Sequence, residues 1–285
     1  MRWQEGRRSD NIEDRRGLRP ATGIKVGGLG ILAVVVVGYL MGASPTQILQ
    51  FLAQTQTSVD RAPVPSAPQA PTGYDQESDF ISVVLGSTED TWTQLFTQLN
   101  RQYHPPRLVL FTEAVDSACG LNSAAVGPFY CPLDSQVYLD LGFFRELRER
   151  FGAPGDFAQA YVVAHEVGHH VQNLLGISDK IQDLRARASE VEANALSVRQ
   201  ELQADCFAGV WGHAANRERN LLEPGDVEEG LSAAAAIGDD RLQRQGSGYV
   251  NPESWTHGSS DQRVQWLQRG LESGRLDACD TFRNL

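Results

Sequence analysis

Apolar positions along this 285-residue chain follow several different rhythms. No charged side chain occurs from Val26 to Val59, and Ile24 to Ala43 is apolar apart from Lys25. At about 1.5 Å rise per residue, that run can just cross a hydrocarbon core of about 30 Å. Ser44-Pro45 pairs an N-cap with a proline at the first helical position, predicting a short juxtamembrane helix to Thr57. Val59 to Asp75 is proline-rich and poor in bulky residues, as in a semi-rigid spacer. From Gln76 onward the pattern is that of a globular domain. Thr88 can cap a helix reaching Arg101, with Trp92, Leu95, Phe96 and Leu99 at helical spacing. Arg107 to Glu113 and Gln136 to Asp140 read as strands, and Leu141 to Phe151 as a helix. A longer helix is predicted between an N-cap at Asp156 and a C′ glycine at Gly176, with Phe157, Tyr161, Ala164, Gly168, Val171 and Leu175 marking one face. Ser197-Val198-Arg199-Gln200 has the form of a capping box opening another helix.

This pattern divides the chain into a basic segment (1–23), a transmembrane helix (24–43), a juxtamembrane helix and linker (44–75) and a domain (76–285). The expected fold is α+β, mainly helical with a small sheet, preceded by that one transmembrane helix. Seven basic and four acidic residues up to Lys25 give the flank a net +3, leaving −14 of the total −11 for the remainder. A basic flank before a first span predicts a cytoplasmic N-terminus and an exported domain, periplasmic or extracellular. The acidic remainder excludes nucleic acid as a partner. Four cysteines follow the run, none at the spacing of a structural zinc site. In an oxidising compartment they predict two disulfides. Of the three possible pairings, Cys119 with Cys131 and Cys206 with Cys279 is the preferred one.

The chemistry concentrates in His165-Glu166-Val167-Gly168-His169, which the pattern places mid-helix. Residues four apart share a helix face, so both imidazoles can reach one Zn²⁺, with Glu166 placed to take a proton from water. A catalytic zinc needs a third protein ligand and an open position. Glu201 and Asp205, again four apart, supply a candidate ligand and a partner for the second N–H of a ligating histidine. His257, in a loop before an amphipathic helix carrying Val264, Leu267 and Leu271, could donate to an oxyanion or simply hold its loop. Tyr161 and Tyr249 are weaker candidates for that donation. His170 reads as a packing or surface residue, His104 as a loop residue, and His213 lies off the ligand face. Asp239 and Asp240 read as caps or internal ion-pair partners. The Gln136 to Asp140 strand is a candidate to pair with an extended substrate.

H-E-x-x-H followed by E-x-x-A-D resembles the gluzincin pattern of zinc peptidases. The runs GPFYCPLDSQVYLDLGFF, AYVVAHEVGHHVQNLLGI, ELQADCFAGVWG, AAAIGDDRLQ, THGSSDQR and CDTF resemble a bacterial family of membrane-anchored neutral zinc metallopeptidases over nearly the whole chain. The resemblance implies a zincin-like fold with the sheet beside the H-E-x-x-H helix, His165 and His169 as zinc ligands, Glu166 as catalytic and a protein or peptide substrate. A zinc amidase acting on cell wall, or a catalytically silent tethered zinc-binding protein, would share the ligand set.

Overall fold

In the computed structural model the described residues are 1–17, 75–124 and 127–283. The expected span 24–43 and the segment 44–74 lie outside them. Among the described residues no helix is long and apolar enough to cross a membrane. Met1–Arg16 and the chain from Asp75 onward belong to one compact unit. The residues expected as a basic segment before a span thus pack, up to Arg16, within this unit.

A four-stranded mixed sheet and a larger set of helices share one core. The strands are β1 (Ile12–Asp14), β2 (Arg107–Phe111), β5 (Phe129–Cys131) and β6 (Gln136–Asp140), in spatial order β1-β2-β6-β5. β1 and β6 run parallel to β2, while β5 is antiparallel to β6. β3 (Ala114–Ser117) and β4 (Gly120–Ser123) form a separate antiparallel pair. The helices are α1 (Gln76–Gln98), α2 (Gly142–Glu149), α3 (Asp156–Leu174), α4 (Ile177–Arg185), α5 (Glu190–Arg219), α6 (Asp226–Ala236), α7 (Asp239–Gly246) and α8 (Ser260–Ser273). The α+β, mainly helical expectation holds for this unit.

Several local signals moved. Asp75, not Thr88, caps α1 by accepting from Ser78 N, whereas Thr88 is buried and returns its hydroxyl to Leu85 O. The turns before Thr88 (Phe80, Ile81, Val83, Val84, Leu85) are buried too, so the helix lies deep in the core and its polar residues mark no end. The capping box of α5 is Ser189 with Glu192; Ser197 lies inside a continuous 30-residue helix. Gly155 occupies the cap position of α3 and Asp156 its first turn, where a carboxylate favours the helix dipole. Gly176 ends α3 in the left-handed conformation (φ 75°), as its sequence position predicts.

Two glycines set how closely helices approach. A Cβ on Gly168 would stand 3.0 Å from Ala204 O and 3.2 Å from Ala204 Cα, so the glycine inside the H-E-x-x-H run lets α5 press against α3. Gly270 does the same for α8 on α5, where a Cβ would lie 2.1 Å from Cys206 O. Phe157 stacks on Trp211 at 5.9 Å between ring centroids, joining α3 to α5 again. Both expected disulfides are present, Cys119–Cys131 and Cys206–Cys279. The second closes the longer loop, 73 residues, and ties the C-terminal turn to α5 beside Asp205. Loop-closure entropy assigns them on the order of 3 and 4 kcal/mol.

Candidate metal centre

His165 and His169 face one side of α3, and Glu201 reaches them from α5. His165 Nε2 lies 3.2 Å from His169 Nε2 and 3.1 Å from Glu201 Oε2, and His169 Nε2 lies 3.3 Å from Glu201 Oε1. For ligand bonds of about 2.05 Å, the edge of a tetrahedron around zinc is about 3.3 Å. The two imidazole nitrogens are spaced as two corners of that tetrahedron, and each lies a similar distance from a different oxygen of the Glu201 carboxylate, so the three residues could hold one ion between them. All three residues, with Glu166, line the cleft.

The far side of each imidazole confirms the tautomer this requires. His165 Nδ1 donates to Asp205 Oδ1 at 2.8 Å, and His169 Nδ1 donates to Gln172 Oε1 at 2.9 Å. With Nδ1 carrying the hydrogen, each Nε2 presents its lone pair to the metal position. Gln172 is itself fixed, donating to Gln200 O at 2.7 Å and Gln203 Oε1 at 3.1 Å.

Charge points the same way. Burial opposes an imidazolium at His165, yet Asp205 and Glu201 outweigh it and raise the pKa to about 10. His169 is likewise raised against burial by Glu201. Burial would push Glu201 up, but His169 and His165 hold it well below the usual carboxylate range. Without a metal ion the pocket draws protons onto its histidines, so it is built to hold positive charge. Glu166, buried and outside the donor triangle, is raised by desolvation, which suits a group that accepts and returns a proton.

The partner the sequence did not suggest is Arg263. From α8 it donates through Nε to Asp205 Oδ2 and through Nη2 to Asp205 Oδ1, each at 2.9 Å, and through Nη2 to Tyr161 Oη at 3.1 Å. Tyr161 in turn donates to Asp205 Oδ1 at 2.6 Å. Asp205 is fully buried, and Arg263 and His165 overcome its desolvation to hold its pKa at about 2. Tyr161 thus belongs to the support behind His165.

The remaining candidates separate clearly. His257 reaches the cleft, and its Nδ1 faces Asp239 Oδ1 at 3.2 Å. The other oxygen of Asp239 accepts from the backbone N–H groups of Thr256, His257 and Gly258, while Asp240 accepts from Ser260 N and Oγ. The two aspartates hold the loop that leads into α8, whose own cap is Ser259, and Asp239 also orients His257. His170 packs in the core, held by His104 O at 2.7 Å and the Tyr130 hydroxyl at 3.0 Å; burial pushes its pKa down to about 4. His213 donates to Leu271 O, and Tyr249 is exposed outside the cleft lining. The cleft, about 1260 Å³, is bordered by Phe129 and Tyr130 of β5 and by Phe143, Val162, Ile237 and Leu242. The expectation for Gln136–Asp140 is corrected: β6 is paired on both edges, by β2 and β5, so it cannot take a substrate strand. Among the described residues β5 has the free edge on that side of the sheet.

The family described as "Putative neutral zinc metallopeptidase" matches residues 1–282. The chain belongs to that family. Zn²⁺ is the cofactor that membership implies, and the donor set above fits it. Among similar proteins, "Uncharacterized protein YpfJ" of Escherichia coli K12 is 47% identical over 293 residues, covering 99% of both chains. "Uncharacterized protein Rv2575" of Mycobacterium tuberculosis is 43% identical over 254 residues, covering 85% of this chain and 84% of its own. No solved structure matches.

The geometry makes Glu201 the candidate third ligand beside His165 and His169. Glu201→Ala is expected to weaken zinc binding more than ~100-fold, beyond the 10–100-fold typical of residues that only support a ligand. Competition against a chromophoric chelator measures this, and unchanged affinity would remove Glu201 from the ligand set.

Proposed function

We propose that the domain is a zinc metallopeptidase that hydrolyses peptide bonds, with Glu166 as general base and then general acid. The observation that carries this reading is a set of three candidate donor residues lining a cleft beside a buried carboxylate, Glu166, with no fourth protein ligand among the described residues. A structural zinc would be closed by a fourth protein ligand. When bound, zinc supplies Lewis-acid chemistry, lowering the pKa of a water and polarising a carbonyl.

The residues of the chain do the rest. The exposed edge of β5 pairs with an extended substrate, laying it along the cleft. Glu166 takes a proton from the attacking water and passes it to the leaving amine nitrogen. His257, held through Nδ1 by Asp239, presents Nε2 to the oxygen that becomes negative. Asp205, Tyr161 and Arg263 keep His165 in its ligating tautomer.

The test is hydrolysis of an unstructured protein substrate by the protein stripped of metal and then reloaded with zinc. Zinc-dependent cleavage supports the reading. A fully loaded protein that cuts no peptide but releases peptide from cell wall would shift it to an amidase. One that cuts neither would leave a zinc-binding protein.

His257 gives the reading a pH signature. Its hydrogen bond to the Asp239 carboxylate raises its pKa, with burial opposing, so it stays cationic to higher pH than a free histidine. An imidazolium donor is lost as pH rises through that raised value, so activity is expected to fall on the alkaline side there. Asp239→Asn removes the cause of the shift and is expected to move that limb toward acid. His257→Ala is expected to cost on the order of 10²-fold in kcat, the lower end for an oxyanion donor. A kcat–pH profile in which neither variant differs from the parent would make His257 a loop residue only.

A further inference from the structure

The residues before the long uncharged run are built into the domain that follows it. Trp3 packs edge-on against Phe80 at 5.3 Å. Arg7 pairs with Glu89 and Asp90, and Arg8 forms a two-pronged pair with Asp79. Ser9 N donates to Ser82 O, and Asn11 O accepts from Leu108 N. Ile12–Asp14 then add a parallel strand to Leu108–Leu110, and Arg15 N donates to Leu110 O. The fit along α1 is close: a Cβ on Gly86 would stand 2.5 Å from Arg7 O. Finally Arg16 pairs with Asp75, so the chain leaves the domain and rejoins it at one point.

From these contacts we infer that the N-terminal strand and the metal-binding domain lie on the same side of the membrane, and that this side is extracytoplasmic. A single crossing by the uncharged run 26–59 would set Arg16 and Asp75 on opposite sides of a core about 30 Å thick. It would also leave β1 without β2.

The basic flank has a different use from the one its charge suggests. Arg7, Arg8 and Arg16 pair with Glu89, Asp79 and Asp75 of the later chain, while Arg15 pairs with Glu13 of its own segment. The orientation rule reads lysines and arginines as free charges retained beside a span. Here three of them are paired across to the domain that follows the run. The two disulfides select the side, since such bonds persist outside the reducing cytosol. None of this rests on the zinc reading.

The experiment uses the full chain, which has no free cysteine. Glu5→Cys in the N-terminal segment and Lys180→Cys in the domain, both exposed positions, are probed separately in spheroplasts with a membrane-impermeant maleimide. Both are expected to label before lysis, with no further gain after it. Labelling of Lys180→Cys with protection of Glu5→Cys overturns the shared side. Protection of both until lysis overturns the extracytoplasmic assignment. Asp10→Cys, also exposed, repeats the measurement in the segment, so the result does not hang on the folding of one variant.

Discussion

Glu166→Gln is expected to keep its zinc and lose its activity. Glu166 contributes no atom to the donor triangle of His165, His169 and Glu201, and glutamine has nearly its shape, so metal stoichiometry should match the parent. What disappears is a carboxylate that both takes and returns a proton. General acid–base groups contribute about 10²–10⁴-fold. Two transfers through one residue place the loss near ~10⁴, or about 5.5 kcal/mol of barrier. Stability should move the other way. Burial raises the Glu166 pKa, and an acid raised by the fold opposes folding once pH passes its unfolded value. At neutral pH the metal-free Gln variant should therefore melt at or above the parent temperature. Zinc titration, hydrolysis rate and a melting curve on one preparation decide the matter. Retained activity at full zinc occupancy would remove Glu166 from the chemistry, and a fall in the metal-free melting temperature would contradict the electrostatic account.

Arg263→Met is expected to be the most destabilising single change near the site. The guanidinium is buried and supplies two of the charge-assisted hydrogen bonds that keep Asp205 ionised. Its removal leaves a carboxylate in the core facing only Tyr161 and His165. Breaking one side of a buried pair costs about 3–5 kcal/mol. For a domain of this size that is a fall in Tm of about 10 °C or more. The pair itself need not be a net gain, since two charges were desolvated to make it. Arg263→Met with Asp205→Leu should accordingly recover much of the lost stability. Zinc affinity should not recover, because His165 has lost the acceptor that fixes its tautomer, a loss of about 10–100-fold. If the two single changes and the double change are additive in Tm, Arg263 and Asp205 are not coupled as described.

Much of the centre was legible because its parts lie within one helical turn of each other. His165, Glu166 and His169 need only a helix to converge, and Glu201 with Asp205 need only a second one. Gln172, three residues past His169, was open to the same rule and was missed. Arg263 was not. It stands in the run THGSSDQR, but nothing in its spacing distinguishes it from the exposed arginine Arg269 on the same helix; only the contact of α8 with α5 through Gly270 turns it inward. Ser197 misled for a related reason. A capping box is a local pattern, and Ser189–Glu192 and Ser197–Gln200 both satisfy it. The continuous α5 uses the first. Thr88 failed likewise, because a helix buried on most sides loses the amphipathic rhythm that marks its start.

The sequence by itself determined the candidate metal ligands, their helical phase, the end of α3 at Gly176, the disulfide count and the α+β class. All of these follow from interactions reaching a few residues along the chain, or from composition. Tertiary structure decided which edge of the sheet is free, what holds Asp205 ionised, and that a three-residue strand near the N-terminus completes the domain. Ile12–Asp14 is too short for alternation to reveal it, and its partner lies about ninety residues away across the uncharged run. Arg7, Arg8 and Arg16 around it read as free charge until Glu89, Asp79 and Asp75 are in place beside them. Local patterns do not encode such pairings, because they arise only when distant segments share one core.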